Sequence, residues 1–108
     1  KAQYVTTVAE VKAAGDRPVQ FQGKILRTKA SYDDKTGEFV FTLKDKAGVD
    51  LQVRYKGVKP ANFDTAPSAV VRGTYACFDG AQHANRKDEF IADQVLLKCP
   101  SRYAGKKT

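Results

Sequence analysis

The fold is decided by the stretch VQFQGKI, residues 19–25, in which apolar and polar side chains alternate. Val19, Phe21 and Ile25 fall on one face, which is the two-residue period of a half-buried strand. Gly23 shares that face and lies in the strand interior, where glycine is typical of a bulge or a sharp bend. The stretch therefore predicts one strand of a curved sheet.

The same alternation recurs four more times along the chain, with turn-forming residues between the first three segments. Turns are predicted at Asp33–Gly37 and at Lys46–Gly48, where glycine ends each polar stretch. The predicted strands run from Val19 to Tyr32, through Phe39, Phe41 and Leu43, through Leu51, Val53 and Tyr55, from Ala69 to Phe78, and from Glu89 to Lys98.

Two short helical segments are predicted outside the strands. Thr7 and Glu10 have the T-x-x-E spacing of a capping box, so a helix is expected over Val8–Ala13, ended by Gly15. In the connection between the third and fourth strands, Pro60 can occupy the first position of a single helical turn.

Five strands, with glycines inside the first and the fourth and a short helical connection before the fourth, predict an all-β fold. We expect a small five-stranded Greek-key barrel, the OB-fold, with residues 1–100 forming the barrel domain. Residues 101–108 are expected to be a flexible C-terminal tail, since few apolar side chains anchor them. An SH3-like barrel or an open five-stranded sheet is the alternative architecture.

The charge balance indicates an anionic partner. The 108 residues include 19 Lys and Arg against 12 Asp and Glu, a net charge of +7, which suits nucleic acid, acidic headgroups or a ligand with carboxylates. The chain has no nucleophile motif, no phosphate-binding glycine loop and no carboxylate cluster with metal-ligand spacing, so an enzyme is not expected. Since it starts at Lys1 without a methionine, we expect that an export or anchoring segment precedes it.

The two cysteines are expected to be free thiols. Pairing Phe78 with Glu89 in the last hairpin would set Cys99 opposite Ser68, far from Cys77. The two sulfurs would then lie ~25–30 Å apart along the ladder, whereas a disulfide needs a Cα separation of ~5.5 Å.

Unusual chemistry is concentrated where the last strand stops. Cys99 is flanked by Lys98 and Arg102, and neighbouring cations favour the reactive thiolate form of a cysteine. Pro100 cannot donate to a strand ladder, so we expect the chain to leave the sheet there and to expose Cys99. Tyr103 follows four residues after the cysteine.

Six segments, in this order and spacing, resemble the periplasmic haem chaperones of cytochrome c maturation, the CcmE family. The resemblance covers nearly the whole chain, although no single segment decides it. The segments are YVTTVAEV (4–11), FTLKD (41–45), VRYKG (53–57), PANF (60–63), AVVRG (69–73) and the stretch 90–103.

The resemblance implies a haem site at the end of the last strand. The common family motif is H-x-x-x-Y, and Cys99-x-x-x-Tyr103 resembles its less common cysteine form. Cys99 would hold a b-type haem, either covalently through a vinyl group or as a thiolate ligand of the iron, and Tyr103 would be an axial iron ligand. Lys98 and Arg102 are candidates to pair with the haem propionates.

The resemblance also implies a setting. The chain would bind haem transiently and deliver it for attachment to apocytochrome c, working with the membrane complexes that supply and ligate haem. It would lie on the periplasmic side of the bacterial inner membrane, anchored by an N-terminal helix, and nucleic acid would not be a partner.

The competing hypothesis is an OB-fold that binds single-stranded nucleic acid. Tyr32, Tyr55, Tyr75, Phe39 and Phe41 are interleaved with basic residues and could stack on bases. Both phenylalanines, however, share the phase of the core-facing positions, which argues against such a platform.

Overall fold

The computed structural model of the protein describes residues 3–76 and 89–98. The predicted helix is confirmed at its predicted bounds, and each predicted strand has a counterpart. Among the described residues, no helix has the length and apolar character needed to cross a membrane. The elements are β1 (Gln3–Val5), α1 (Val8–Ala13), β2 (Val19–Asp33), β3 (Glu38–Lys44), β4 (Asp50–Tyr55), β5 (Ser68–Ala76) and β6 (Glu89–Lys98).

Five of the strands close into a barrel. β2, β3 and β4 form an antiparallel meander, and β5 pairs with the first half of β2. β6 lies between β5 and β4, antiparallel to the first and parallel to the second, so the ring is complete. The predicted OB-type barrel is confirmed and the open-sheet alternative is excluded. β1, which was not predicted, lies parallel to β2.

Aromatic side chains fill the barrel. Phe21, Phe41, Phe63 and Phe90 are each at most 1% exposed. The Phe63 ring meets Phe39 and Phe41 edge-on, with centroid distances of 5.0 and 5.3 Å. Because a five-stranded barrel has room only for its own side chains, we expect any ligand to bind on the outside of the wall.

The capping box of α1 forms as predicted. The Thr7 hydroxyl accepts a hydrogen bond from the Glu10 amide at 3.2 Å, and the Glu10 carboxylate accepts one from the Thr7 amide at 3.1 Å. Val8 and Val11, one helical turn apart, are buried in the hydrophobic core. The cap and this apolar face together fix a helix of only six residues.

Asp45, which directly follows β3, ties the helix to the barrel. Its Oδ2 accepts a hydrogen bond from the Val8 amide at 2.7 Å, and its Oδ1 accepts two from the Ala47 and Val49 amides at 2.9 and 2.8 Å. Burial opposes ionisation of this carboxyl group, but the amide donors prevail and hold the pKa of Asp45 below its ordinary value.

The β5–β6 ladder contains a bulge at Gly73. Asp93 is left over between the pairs Arg72–Gln94 and Gly73–Ala92. A Cβ atom at Gly73 would lie 1.9 Å from a carbonyl oxygen of β6, so no other residue fits without moving the backbone. The bulge increases the local bend, which helps the ring to close.

The observed register of the last hairpin differs from the predicted one. Glu89 pairs with Ala76 rather than with Phe78, a difference of two residues. At the other end Ser68 pairs with Lys98, one residue before the predicted partner. The extra residue in β6 accounts for the change between the two ends.

Cys77 and Cys99 both lie outside the described residues. Ala76 and Lys98, which precede them in the sequence, are at opposite ends of the β5–β6 ladder. That the two thiols are free stays a prediction.

The single turn predicted to start at Pro60 is present, but the chain does not continue it as a helix. The connection from β4 to β5 is a series of turns, in which the Phe63 amide donates to the Pro60 carbonyl at 3.2 Å. Asn62 has φ of 69°, in the left-handed region, and this conformation prevents a helical turn from continuing.

Gly23 is not the site of a bulge. Its register with β5 is regular, and the irregularity of β2 against β3 falls between Leu26 and Ser31. The glycine is needed for a close approach instead, since a Cβ atom there would lie 2.9 Å from the Lys44 carbonyl oxygen.

A largely buried ion network joins four strands at the β4–β6 contact. The Arg54 guanidinium holds both oxygens of the Glu89 carboxylate, each at 2.9 Å, and also contacts Asp33 at 2.9 Å and Glu38 at 3.1 Å. Gln52 donates a further hydrogen bond to Glu89. The side chains of Arg54 and Glu89 are 12% and 2% exposed, and these carboxylates raise the pKa of Arg54 above its ordinary value.

We expect Asp45→Asn to lower the free energy of unfolding by about 1–3 kcal/mol at pH 7, because the amide keeps only one accepting oxygen for donors on two sides. Since folding lowers the pKa of Asp45, its stabilising contribution is complete above the unfolded value of about 3.9 and is lost as the pH falls through the folded value. Urea unfolding measured between pH 7 and pH 2 should therefore show that the difference in free energy of unfolding between the protein and Asp45→Asn becomes smaller in acid.

The control is Asp34→Asn, at an exposed turn position, which should change stability little at any pH. A constant gap between the protein and Asp45→Asn across the acid range would contradict the role assigned to the carboxylate.

We expect Arg54→Met to lower the free energy of unfolding by about 3 kcal/mol or more, because it leaves the buried Glu89 carboxylate uncompensated. Combining it with Glu89→Gln should restore part of the loss. Lys29→Met, which breaks an exposed ion pair with Asp50, is the control and should cost about 0.5 kcal/mol or less. Strictly additive losses in urea unfolding would show that the two groups are not coupled.

Candidate functional site

Of the four predicted site residues, the structure places one. Lys98 is the last described residue of β6, half-buried and paired in register with Ser68. Cys99, Arg102 and Tyr103 lie outside the described residues. The part of the candidate site that the structure describes is the barrel wall around Lys98.

The outer wall beside the end of β6 carries an apolar strip, formed by Tyr4, Val70 and Leu96. Val70 pairs with Leu96 on one side and with Gln22 on the other, and the Tyr4 hydroxyl donates a hydrogen bond to the Gln22 side chain. Leu96 is 60% and Tyr4 52% exposed, which is high for such large side chains. Ala69 joins the core cluster, so its neighbour Val70 lies on the other face of the sheet, where it is only 7% exposed between its neighbours.

A basic row, formed by Lys98, Lys24 and Lys44, runs next to the apolar strip. Lys98 pairs with Ser68, Ser68 with Lys24, and Lys24 with Lys44, across four neighbouring strands. Paired residues of antiparallel strands point to the same face. The row and the strip are therefore adjacent lines on one surface, two residues apart along each strand.

Part of the row borders a groove of about 620 Å³. Lys24, Lys44 and Lys46 line it together with Asp45, Gly23 and Ser68, so the lining holds three cations against one carboxylate. The groove is open to solvent and cationic, which suits a carboxylate or a phosphate.

The cations of the row differ in their partners. The Lys44 ammonium lies 2.8 Å from Asp50, which Lys29 also contacts at 3.3 Å, and these hydrogen bonds, that from Lys44 foremost, lower the pKa of Asp50. Neither Lys24 nor Lys98 takes part in a salt bridge within residues 3–76 and 89–98. Uncompensated positive charge is thus concentrated at the end of the row near β6.

The aromatic platform of the nucleic-acid hypothesis does not form. Phe39 and Phe41 are 4% and 0% exposed and belong to the core, as their phase predicted. Tyr55 and Tyr75 pack against that core, and Tyr32 alone of the five is strongly exposed. In the part of the chain that the structure describes, no cluster of potential metal ligands is present either.

Sequence analysis missed Lys24, Lys44 and Leu96 as site residues. Each occupies an outward position of its strand, and this much follows from the alternation. Their assembly into one surface depends on which strands are neighbours and in what register. The sequence of a single strand does not indicate which strands will be its neighbours or in what register.

The surface as a whole is amphipathic. An apolar strip bordered by cations can bind a flat apolar ligand that carries acidic groups on one edge, because the ring gains burial while the acids gain charge partners. It lies beside the strand end from which the chain continues to Cys99.

Comparison with known proteins gives one informative result. No curated protein matches the chain significantly. A family model described as "CcmE domain" matches residues 2–106, nearly the whole sequence. The chain therefore belongs to the CcmE family, the haem chaperones of cytochrome c maturation.

Proposed function

We propose that this chain binds haem transiently in the periplasm and passes it on for attachment to apocytochrome c. The family match over residues 2–106 carries the proposal. The amphipathic wall beside the end of β6 supports it, since haem is a flat apolar ring with two carboxylates. The partners are then the membrane complexes that deliver and ligate haem, and an N-terminal helix tethers the chain to the inner membrane.

Cys99 is proposed as the residue that holds the haem. Its thiol can add across a vinyl double bond, with sulfur bonding to one carbon and the proton passing to the other, a step that needs no oxidant or reductant. It can instead bind the iron as a thiolate, a soft ligand suited to haem iron. The iron–thiolate bond is reversible, whereas the thioether is durable, so the two modes differ in how the cargo is released.

Three residues near Cys99 complete the proposed site. Tyr103 is proposed as an axial ligand of the iron. Lys98 and Arg102 supply positive charge next to the thiol in the sequence, which favours the thiolate and attracts the acidic haem.

Replacing Cys99 by Ala should abolish haem attachment that resists denaturation. Each protein is incubated with haem, and intact mass is measured under native and denaturing conditions beside a haem-stained denaturing gel. A haem mass kept by the unsubstituted protein under both conditions indicates a thioether, and one kept only under native conditions indicates an iron–thiolate bond.

Cys77→Ala is the matched control, since it removes the other thiol of the chain. It should leave haem retention unchanged. A haem stain that survives in Cys99→Ala and disappears in Cys77→Ala would show that haem is attached to Cys77 and not to Cys99.

Replacing Tyr103 by Phe should shift the absorption spectrum of the bound haem, because the phenolic oxygen is lost while the ring remains. The free energy of unfolding should change by less than about 0.5 kcal/mol, since the aromatic ring is kept and only a hydroxyl is lost. Tyr32→Phe, at an exposed tyrosine, controls for loss of a hydroxyl elsewhere. An identical spectrum in Tyr103→Phe and the unsubstituted protein would remove Tyr103 from the ligand set.

A further inference from the structure

We propose that Lys24 and Lys44 form an anion subsite on the outer wall that binds the two propionates of the haem, in place of Lys98 and Arg102, for which the family resemblance suggested this role. This inference rests on the proposed function and extends it, since it assigns the ligand's acidic edge to β2 and β3. These strands are distant in sequence from the haem motif at the end of β6.

The first argument is that the pairing of two lysines in the β2–β3 ladder destabilises the protein. Lys24 and Lys44 are directly opposite each other in the β2–β3 ladder, and like charges in such pairs destabilise a sheet. Of the two lysines only Lys44 pairs with the Asp50 carboxylate, and Asp50 also pairs with Lys29. Lys24 is exposed and has no salt bridge within the described residues. An anionic ligand would relieve this repulsion.

The second argument is distance. Neighbouring strands are ~4.8 Å apart, so Lys24 lies two strands or ~10 Å from Lys98, and Lys44 three strands or ~14 Å. The vinyl and propionate groups occupy opposite halves of the porphyrin. A haem whose vinyl half is held just after Lys98 would therefore extend its propionates across the wall towards Lys24 and Lys44.

The third argument is the surface between the two ends. Leu96 of the apolar strip adjoins the basic row and is 60% exposed, so a ring directed from β6 towards β2 would cover its side chain. The groove beyond them is about 620 Å³ and contains Lys46 as a third cation. A haem that lies in this direction would thus place its ring on apolar surface and its propionates near lysines.

A second groove of the protein lacks these features. It is about 510 Å³ and contains the cations Arg27 and Lys59. Lys59 is paired with Asp64 at 2.8 Å, and the Arg27 guanidinium donates to the carbonyl of Phe63 at 3.1 Å and to a second carbonyl nearby. Both of its cations have partners, whereas the groove of the proposed subsite contains Lys24, which has no salt bridge within the described residues and makes that groove the better anion site.

The test compares two ligands on three proteins. Mesohaem has ethyl groups in place of vinyls, so it cannot form a thioether and its binding reaches equilibrium. Its dimethyl ester lacks the propionate charges. Affinities for both are measured by Soret titration with the unsubstituted protein, with Lys24→Gln/Lys44→Gln, and with Lys35→Gln/Lys56→Gln, a control of equal charge change at exposed positions outside the groove.

The unsubstituted protein should prefer mesohaem to its ester, and added salt should reduce that preference. Lys24→Gln/Lys44→Gln should lower the preference about fivefold, the effect of two exposed ion pairs, with little change in ester binding. The control should keep the full preference. The thermal midpoint of Lys24→Gln/Lys44→Gln should be nearly unchanged, since relief of the lysine repulsion offsets loss of the exposed Lys44–Asp50 pair, and this measurement separates a loss of binding from a folding defect.

Two outcomes overturn the inference and are distinguishable. If the unsubstituted protein binds haem and mesohaem, but Lys24→Gln/Lys44→Gln keeps the preference or loses no more than the control, the subsite is wrong and the proposed function is unaffected. If the unsubstituted protein gives no Soret change with haem itself, the proposed function and the subsite fail together.

Discussion

The barrel depends on the contact between Arg54 and Glu89. β4 and β6 are parallel and pair over only Val53–Tyr55 and Phe90–Ala92, the shortest contact in the ring. The guanidinium grips the glutamate with two hydrogen bonds and links it to carboxylates of β2 and β3. This contact sets where β6 enters the ring, and therefore where Lys98 leaves it.

The filled interior determines what kind of site the protein can have. Phenylalanine rings occupy the space inside the wall, so binding chemistry is displaced to the outside. There the two-residue period of each strand sorts side chains into lines that cross the strands. One line is apolar and the next is basic, and both reach the end of β6. The amphipathic surface thus arises from the register between strands, which aligns these positions of neighbouring strands.

Sequence reasoning recovered what local rules determine and missed what register determines. The capping box fixed α1, and alternation fixed the barrel strands and the burial of Phe39 and Phe41. β1 was missed because three residues are too few to display a period. The last hairpin was misaligned because the bulge at Gly73 is a steric fact between two strands. The basic row could not be predicted for the same reason. The cations next to Cys99 drew attention to it in the sequence, whereas the haem roles of Cys99, Arg102 and Tyr103 come from the family.

Closure of the ring also bears on how quickly the chain can reach its native state. The β2–β5 ladder pairs Val19 with Gly73, and the Asp45–Val8 hydrogen bond joins residues well separated in sequence. Such contacts require large loops to close before any stabilisation is gained, and barrels of this kind fold in milliseconds to seconds, on the order of a thousand times slower than small helical bundles. During that search the edges of β2 and β6 remain unpaired, and unpaired edges are the surfaces through which β-proteins aggregate.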